Sequence, residues 1–232
     1  MIQCPNCRFQ NGDLAVLCAN CGGFVQARVQ TLDLFSTTWQ LVESPERGMK
    51  RVILSVHKNY VVLLSSLYGI GLAFFLMWLL RLGNLFDNLQ QLLFAGLLMG
   101  PPAGIFHITL VGIVGLVVSR IFAVRVRLLD LLAVAAYASM PVTVGVVFIL
   151  PVEVVTFGQF LFTQNPSPLV IKPVSYIILM TLDGVTIIWS IFLMVIGIRI
   201  LGDMKMVKAI LISLITVVVS MFILLFLLKE VL

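Results

Sequence analysis

An all-α membrane protein is the fold class this sequence predicts: a bundle of five membrane-crossing helices with a small cysteine-rich knob at the N-terminus. Three observations predict it. The 232 residues are 61% hydrophobic and only 11% charged, against about 25% charged in soluble domains. Five apolar stretches each reach the roughly 20 residues that cross the hydrocarbon core of a bilayer. Four cysteines sit within the first 21 residues, and none follows them.

The knob comes first. Its cysteines read Cys4-x2-Cys7, then ten residues, then Cys18-x2-Cys21. Two such knuckles are the spacing of a tetrahedral four-thiolate zinc site. A segment this short has almost no core, so bound metal would supply its folding energy. The competing reading is a pair of disulfides or an unmetallated, degenerate knob. Cys4-Pro5-Asn6-Cys7 and Cys18-Ala19-Asn20-Cys21-Gly22 resemble the short zinc ribbon found at many prokaryotic N-termini, over residues 1–24. Arg8 stands where that pattern usually carries glycine. The expected cofactor is structural Zn2+ held by Cys4, Cys7, Cys18 and Cys21.

Residues 25–58 are expected to form a linker and juxtamembrane helices. Leu32, Phe35, Trp39 and Val42 fall at steps of 3, 4 and 3, a helical stripe. It fits a helix lying at the bilayer interface with Trp39 at headgroup depth, or equally one packed on its own domain. Pro45 suits the start of the next helix. Residues 59–230 form the membrane domain. Its expected spans are Tyr60–Leu80, Leu92–Val118, Leu131–Leu150, Pro173–Ile198 and Ala209–Leu228. Pro141 is expected to kink the third, and Gly96, Gly100 and Gly104 to let the second pack closely against a neighbour. The outer loop 151–172 contains Glu153, and its aromatics Phe157, Phe160 and Phe162 read as interface anchors.

The charges between spans alternate. Arg47, Lys50, Arg51 and Lys58 precede the first span. Arg120, Arg125 and Arg127 follow the second, and Arg199, Lys205 and Lys208 follow the fourth. The other connections carry Arg81 or Lys172 as their cations, and Lys229 follows the last span. The positive-inside rule then puts the N-terminus in the cytoplasm and the C-terminus outside. That leaves the cysteines in the reducing compartment, where metal sites outlast disulfides. The net charge of +5 reports topology, and no nucleic-acid partner is expected. The first 30 residues lack an apolar signal-peptide core, so no cleavable signal is expected. Arg120, Arg125, Arg127, Arg199, Lys205 and Lys208 form a candidate cytoplasmic rim for anionic lipid headgroups.

Residues 131–141 run Leu-Leu-Ala-Val-Ala-Ala-Tyr-Ala-Ser-Met-Pro, and Gly197-Ile198-Arg199 closes the fourth span before Lys208-Ala209 opens the fifth. With His107 in the second span, these elements resemble the Yip family of Rab-interacting membrane proteins, over about residues 32–230. The resemblance implies five spans with a cytoplasmic N-terminus, and a role in membrane organisation. Eukaryotic members carry a longer polar N-terminal region with an Asp-Leu-Tyr-Gly-Pro element. Here a ribbon stands in its place, the layout of a prokaryotic-type member in a plasma membrane.

Asp183 is the sharpest polar feature inside a span, because a charge at the bilayer centre costs at least about 2.5–3.5 kcal/mol. It lies 16 residues before Arg199, and His107 lies 13 before Arg120, or roughly 24 and 20 Å along their helices. Level span ends would let the two meet. Asp183, His107 and Tyr137 are therefore the candidate intramembrane polar site, as a proton or ion relay or as hydrogen bonds holding the bundle together. No phosphate loop, nucleophile elbow or zinc-protease motif occurs, so no catalytic residue and no enzymatic activity is expected. The sequence thus points to a non-catalytic membrane adaptor or organiser embedded in the lipid bilayer, with a cytoplasmic protein partner at its ribbon. Self-association into a homo-oligomer is left open. The alternative is a small-molecule, ion or lipid transporter working through Asp183 and His107.

Overall fold

Short-range chemistry sets the first helix starts. In the computed structural model, which describes residues 2–27 and 29–231, Asp33 caps α1 (Leu34–Glu43) by accepting the Ser36 amide at 2.7 Å. That amide is one of the donors a helix start leaves unmet. Pro45 opens α2 (Pro45–Leu54), where a missing N–H costs nothing. The chain continues through α3 (Val61–Leu79), α4 (Leu89–Ile121), α5 (Leu128–Ala138), α6 (Met140–Phe157), the one-turn α7 (Pro168–Ile171), α8 (Pro173–Leu201) and α9 (Met206–Val231).

Among the described residues five segments are long and apolar enough to cross a membrane: Val61–Leu79, Leu89–Ile121, Leu128–Phe162, Pro173–Leu201 and Met206–Glu230. The expected five-span, all-helical architecture is therefore what the chain adopts. All but the first run past their apolar stretches. Arg120, Arg199 and Lys229 lie in the last turns of α4, α8 and α9, where cations favour the negative end of the helix dipole.

The third span is interrupted beside Pro141, where a kink was expected: α5 stops at Ala138, Ser139 forms a turn, and Pro141 lies in the first turn of α6, because a proline has no amide to give the preceding turn. One expectation about this span needs correcting, since the outer loop starts later. α6 runs through Pro151 to Phe157, and residues 158–162 form a 3-10 turn. Phe157 and Phe162 are consequently core residues, packed with Phe74, Met77, Leu92, Leu161 and Leu179. Phe160 alone of the three aromatics is exposed.

The chain forms two compact units. The first comprises Met1–Tyr60, Val111–Tyr137 and Phe192–Leu232. It begins with a hairpin of β1 (Ile2–Gln3) and β2 (Gln10–Asn11), in register Ile2 to Asn11 and Gln3 to Gln10. α1 packs against α2 along Leu41, so closely that a side chain at Gly48 would strike the Leu41 backbone. α1 therefore turns Thr37 and Leu41 onto its own unit, so the stripe is not packed there as one of its two readings expected. Leu32, just ahead of the helix, is buried, whereas Phe35, Trp39 and Val42 are exposed. In this unit Gly197 of α8 meets Val134 of α5, leaving no room for a β-carbon.

The second unit comprises Val61–Leu110 and Ala138–Ile191. α3 and α4 cross at Gly69, Gly100 and Gly104. A methyl group on any of the three would overlap backbone atoms of the opposite helix, so the crossing depends on their missing side chains. Gly71 faces Val142 and Val146 of α6. At one end of the unit the Gln159 amide donates to the Gly83 and Phe86 carbonyls, both at 2.8 Å, clipping the two connecting turns together.

Candidate functional site

The four cysteines converge through two matching turns. Arg8 N–H donates to the Cys4 carbonyl at 2.9 Å, and Gly22 N–H donates to the Cys18 carbonyl at 2.9 Å. The return bonds match as well: Cys4 N–H to Phe9 at 2.9 Å, and Cys18 N–H to Gly23 at 2.8 Å. Each turn needs a left-handed residue after its second cysteine, and Arg8 (φ 59°) and Gly22 (φ 68°) supply it. All four Sγ atoms lie within 4.8 Å of one another. Cys4 and Cys21 sulfurs are 3.6 Å apart, as are those of Cys7 and Cys18. A disulfide would need about 2.05 Å. A tetrahedron of sulfurs around an ion at about 2.3 Å has edges of about 3.8 Å. The cluster therefore has the size of a metal site.

Backbone donors prepare some of these sulfurs for that role. The Cys21 amide, then the Asn11 side chain, draw the Cys18 thiol down to about 6. The Phe9 amide lowers that of Cys7. Gly23 acts the same way on Cys21, but the crowding sulfurs of Cys7 and Cys4 outweigh it and push that thiol up to about 12. An ion among the four would relieve this crowding. Asn11, which the spacing did not single out, is buried. It bridges the cluster by donating to Phe9 O at 3.0 Å and to Cys18 Sγ at 3.5 Å, while accepting the Ala19 amide at 2.9 Å.

The intramembrane candidates have separate partners. His107 Nδ1 and the Tyr68 hydroxyl are 3.0 Å apart, and the two rings stack with centroids at 5.8 Å. The other ring nitrogen of His107 is buried without a partner. Asp183 meets Glu153, side chain to side chain. Glu153 is only 4% exposed, although the sequence reading put it in a loop. The apolar run carries on past Pro151 through Val152, Val154, Val155 and Phe157, and that continued hydropathy was the signal that the span goes on. Tyr137 is fully buried in the other unit and donates to the Asn59 carbonyl at 2.9 Å. Lys58 beside it pairs with Asp130 of α5 at 3.0 Å and also donates to the Val52 and Ile53 carbonyls. α5 thereby fastens the segment that leads into α3.

The six rim cations all belong to the first unit. Arg120, Arg125, Arg127 and Lys205 are exposed, and Lys208 is half-buried. Arg199 pairs with Glu46 of α2 at 2.6 Å. Around that pair lies a cleft of about 260 Å3, lined also by Asp13, Arg47, Lys50 and Asp203. Three acids face three bases there, so this part of the rim is balanced.

The family model described as Yip1 domain matches residues 35–228 of the chain. No curated protein and no solved structure matches it.

Proposed function

Since the chain belongs to the Yip1 domain family, matched over residues 35–228, we propose that it is a non-catalytic multi-pass membrane adaptor or organiser whose N-terminal ribbon recruits a cytoplasmic protein partner. The observation that carries this reading is the surface of the ribbon. Phe9, Leu17 and Phe24 are 45%, 60% and 58% exposed on a knob of fewer than thirty residues, and Leu17 and Phe24 pair across its second turn. Exposed aromatics beside a rigid centre are the usual anchors of protein interfaces. The cofactor is structural Zn2+ on Cys4, Cys7, Cys18 and Cys21: all-thiolate donors suit it, and no ligand position is left for water. The charge alternation orients the ribbon to the cytoplasm and the C-terminus outside, in a prokaryotic plasma membrane. Arg120, Arg125, Arg127, Lys205 and Lys208 face anionic headgroups there.

The test is mild-detergent purification from native membranes of wild type, Cys18→Ser/Cys21→Ser, and Leu17→Ser/Phe24→Ser. The adaptor reading expects one stoichiometric protein to be lost from both variants, while the second retains its zinc. An unchanged set of bound proteins in both variants would remove it. The transport alternative draws on Asp183 and its buried neighbour. It expects Asp183→Asn to abolish flux in liposomes without unfolding the protein, and equal flux in both proteins would rule it out.

A further inference from the structure

We propose that Glu153 and Asp183 form a proton-binding site within the membrane domain, one proton being held between their two carboxyl groups. The site is independent of the ribbon and of the adaptor reading. Glu153 lies one turn before the end of α6 and is 96% removed from the surface (4% exposed). Its carboxyl group meets that of Asp183 on α8 at hydrogen-bonding range. Its Oε1 is buried with no partner. The two helices are in contact here: two turns earlier on α6, a β-carbon built at Gly145 would lie 3.6 Å from the Thr186 side chain of α8, an ordinary packing distance.

The chemistry follows from the donor inventory. An ionised carboxylate only accepts hydrogen bonds. Two carboxyl groups in hydrogen-bond contact must therefore hold at least one proton between them. Two bare carboxylates at that distance in a low dielectric repel strongly, the reason paired acids titrate as a unit.

No countercharge on the surrounding helices removes the need for that proton. Within the helices of this unit Glu153 and Asp183 are the only charged residues. α3, which packs on α6, carries one titratable group, Tyr68, engaged with His107 of α4. The 3-10 turn after α6 has none. On α8 the Tyr176 hydroxyl accepts the Trp78 indole N–H at 3.1 Å. The cations in the connections are directed elsewhere. Lys172 donates to the Thr156 carbonyl at 3.3 Å, and Arg81 stacks on Trp78 and donates to the Leu161 and Thr163 carbonyls. A proton is thus the ligand the pair is built to take.

Infrared spectroscopy of the full chain in lipid nanodiscs tests this at neutral pH, where solvated carboxyl groups are ionised. The expected result is a carbonyl band from one protonated carboxyl per chain, shifted in heavy water and absent in Glu153→Gln/Asp183→Asn. In Asp183→Asn alone, the band should move in frequency and titrate at a different pH, because the proton is no longer shared. No such band in wild type, or a band that survives in the double variant, would overturn the proposal. So would an Asp183→Asn band unchanged in frequency and titration, which would mean that Glu153 is protonated alone. Loss of the wild-type band on adding sodium would assign the pair to a metal cation instead.

Discussion

The two cysteine turns make the same backbone demand of different residues. Gly22 adopts φ 68° freely, but Arg8 is held at φ 59°, where a side chain crowds the carbonyl. Arg8→Gly should tighten metal binding by about two- to fivefold, the left-handed cost recovered less the extra entropy glycine loses on folding. Competition with a chromophoric chelator on the full chain measures it, and weaker binding would mean that the Arg8 side chain itself supports the site. Asn11 acts through Cys18 and not on an ion directly. Asn11→Ala should weaken zinc binding by about tenfold or more, as is typical when a ligand loses its supporting hydrogen bonds. Protons compete with metal for thiolates. Zinc should therefore be held at neutral pH and released as the pH falls, with the same chelator reporting the midpoint.

At the scale of elements, glycine decides where helices meet. Gly69, Gly100 and Gly104 have no space for a β-carbon, whereas one at Gly184 would meet nothing within 4 Å. Gly104→Val should force α3 from α4 and destabilise the protein by about 1–3 kcal/mol or more, the usual cost of overpacking. Gly184→Ala should leave the thermal midpoint unchanged or raise it slightly, since alanine favours a helix interior by about 1 kcal/mol. Equal midpoints for both variants would refute the tight crossing. The tyrosine of the family-like element in the third span has a comparable role. Tyr137 secures the Asn59 carbonyl from α5, and Tyr137→Phe should cost about 1 kcal/mol, the net worth of one hydrogen bond. Gly197 and Arg199, from the second family-like element, also have separate jobs: one admits Val134 and the other pairs with Glu46.

For the whole molecule the governing property is its partition into the bilayer. An odd number of spans places the two termini on opposite sides. A protease-cleavable tag after Leu232 should be cut from outside intact cells, and one before Met1 only after lysis. The reverse pattern would invert the proposed orientation, and cleavage of both from one side would contradict the five crossings. Removing zinc with a strong chelator should unfold the ribbon while leaving the helical signal nearly intact, because the helices are stabilised by lipid and by their own packing. Circular dichroism with and without chelator distinguishes this from collapse of the whole chain.

Span number and cysteine convergence were legible in the sequence, because both rest on local quantities. Twenty apolar residues in a row must enter the bilayer as helix, where each backbone amide finds its partner within the same segment. Two C-x2-C turns likewise bring each pair of sulfurs together through hydrogen bonds inside the turn. The apolar stretches could not reveal which side chains meet between helices. Hydropathy does not record the rotation of one helix about its axis against another, and that rotation sets those meetings. Tertiary structure therefore decided that Asp183 faces Glu153 while His107 faces Tyr68, and that Phe157 and Phe162 enter a core. It also decided that α1 turns Leu41 inward and leaves Phe35 and Trp39 exposed.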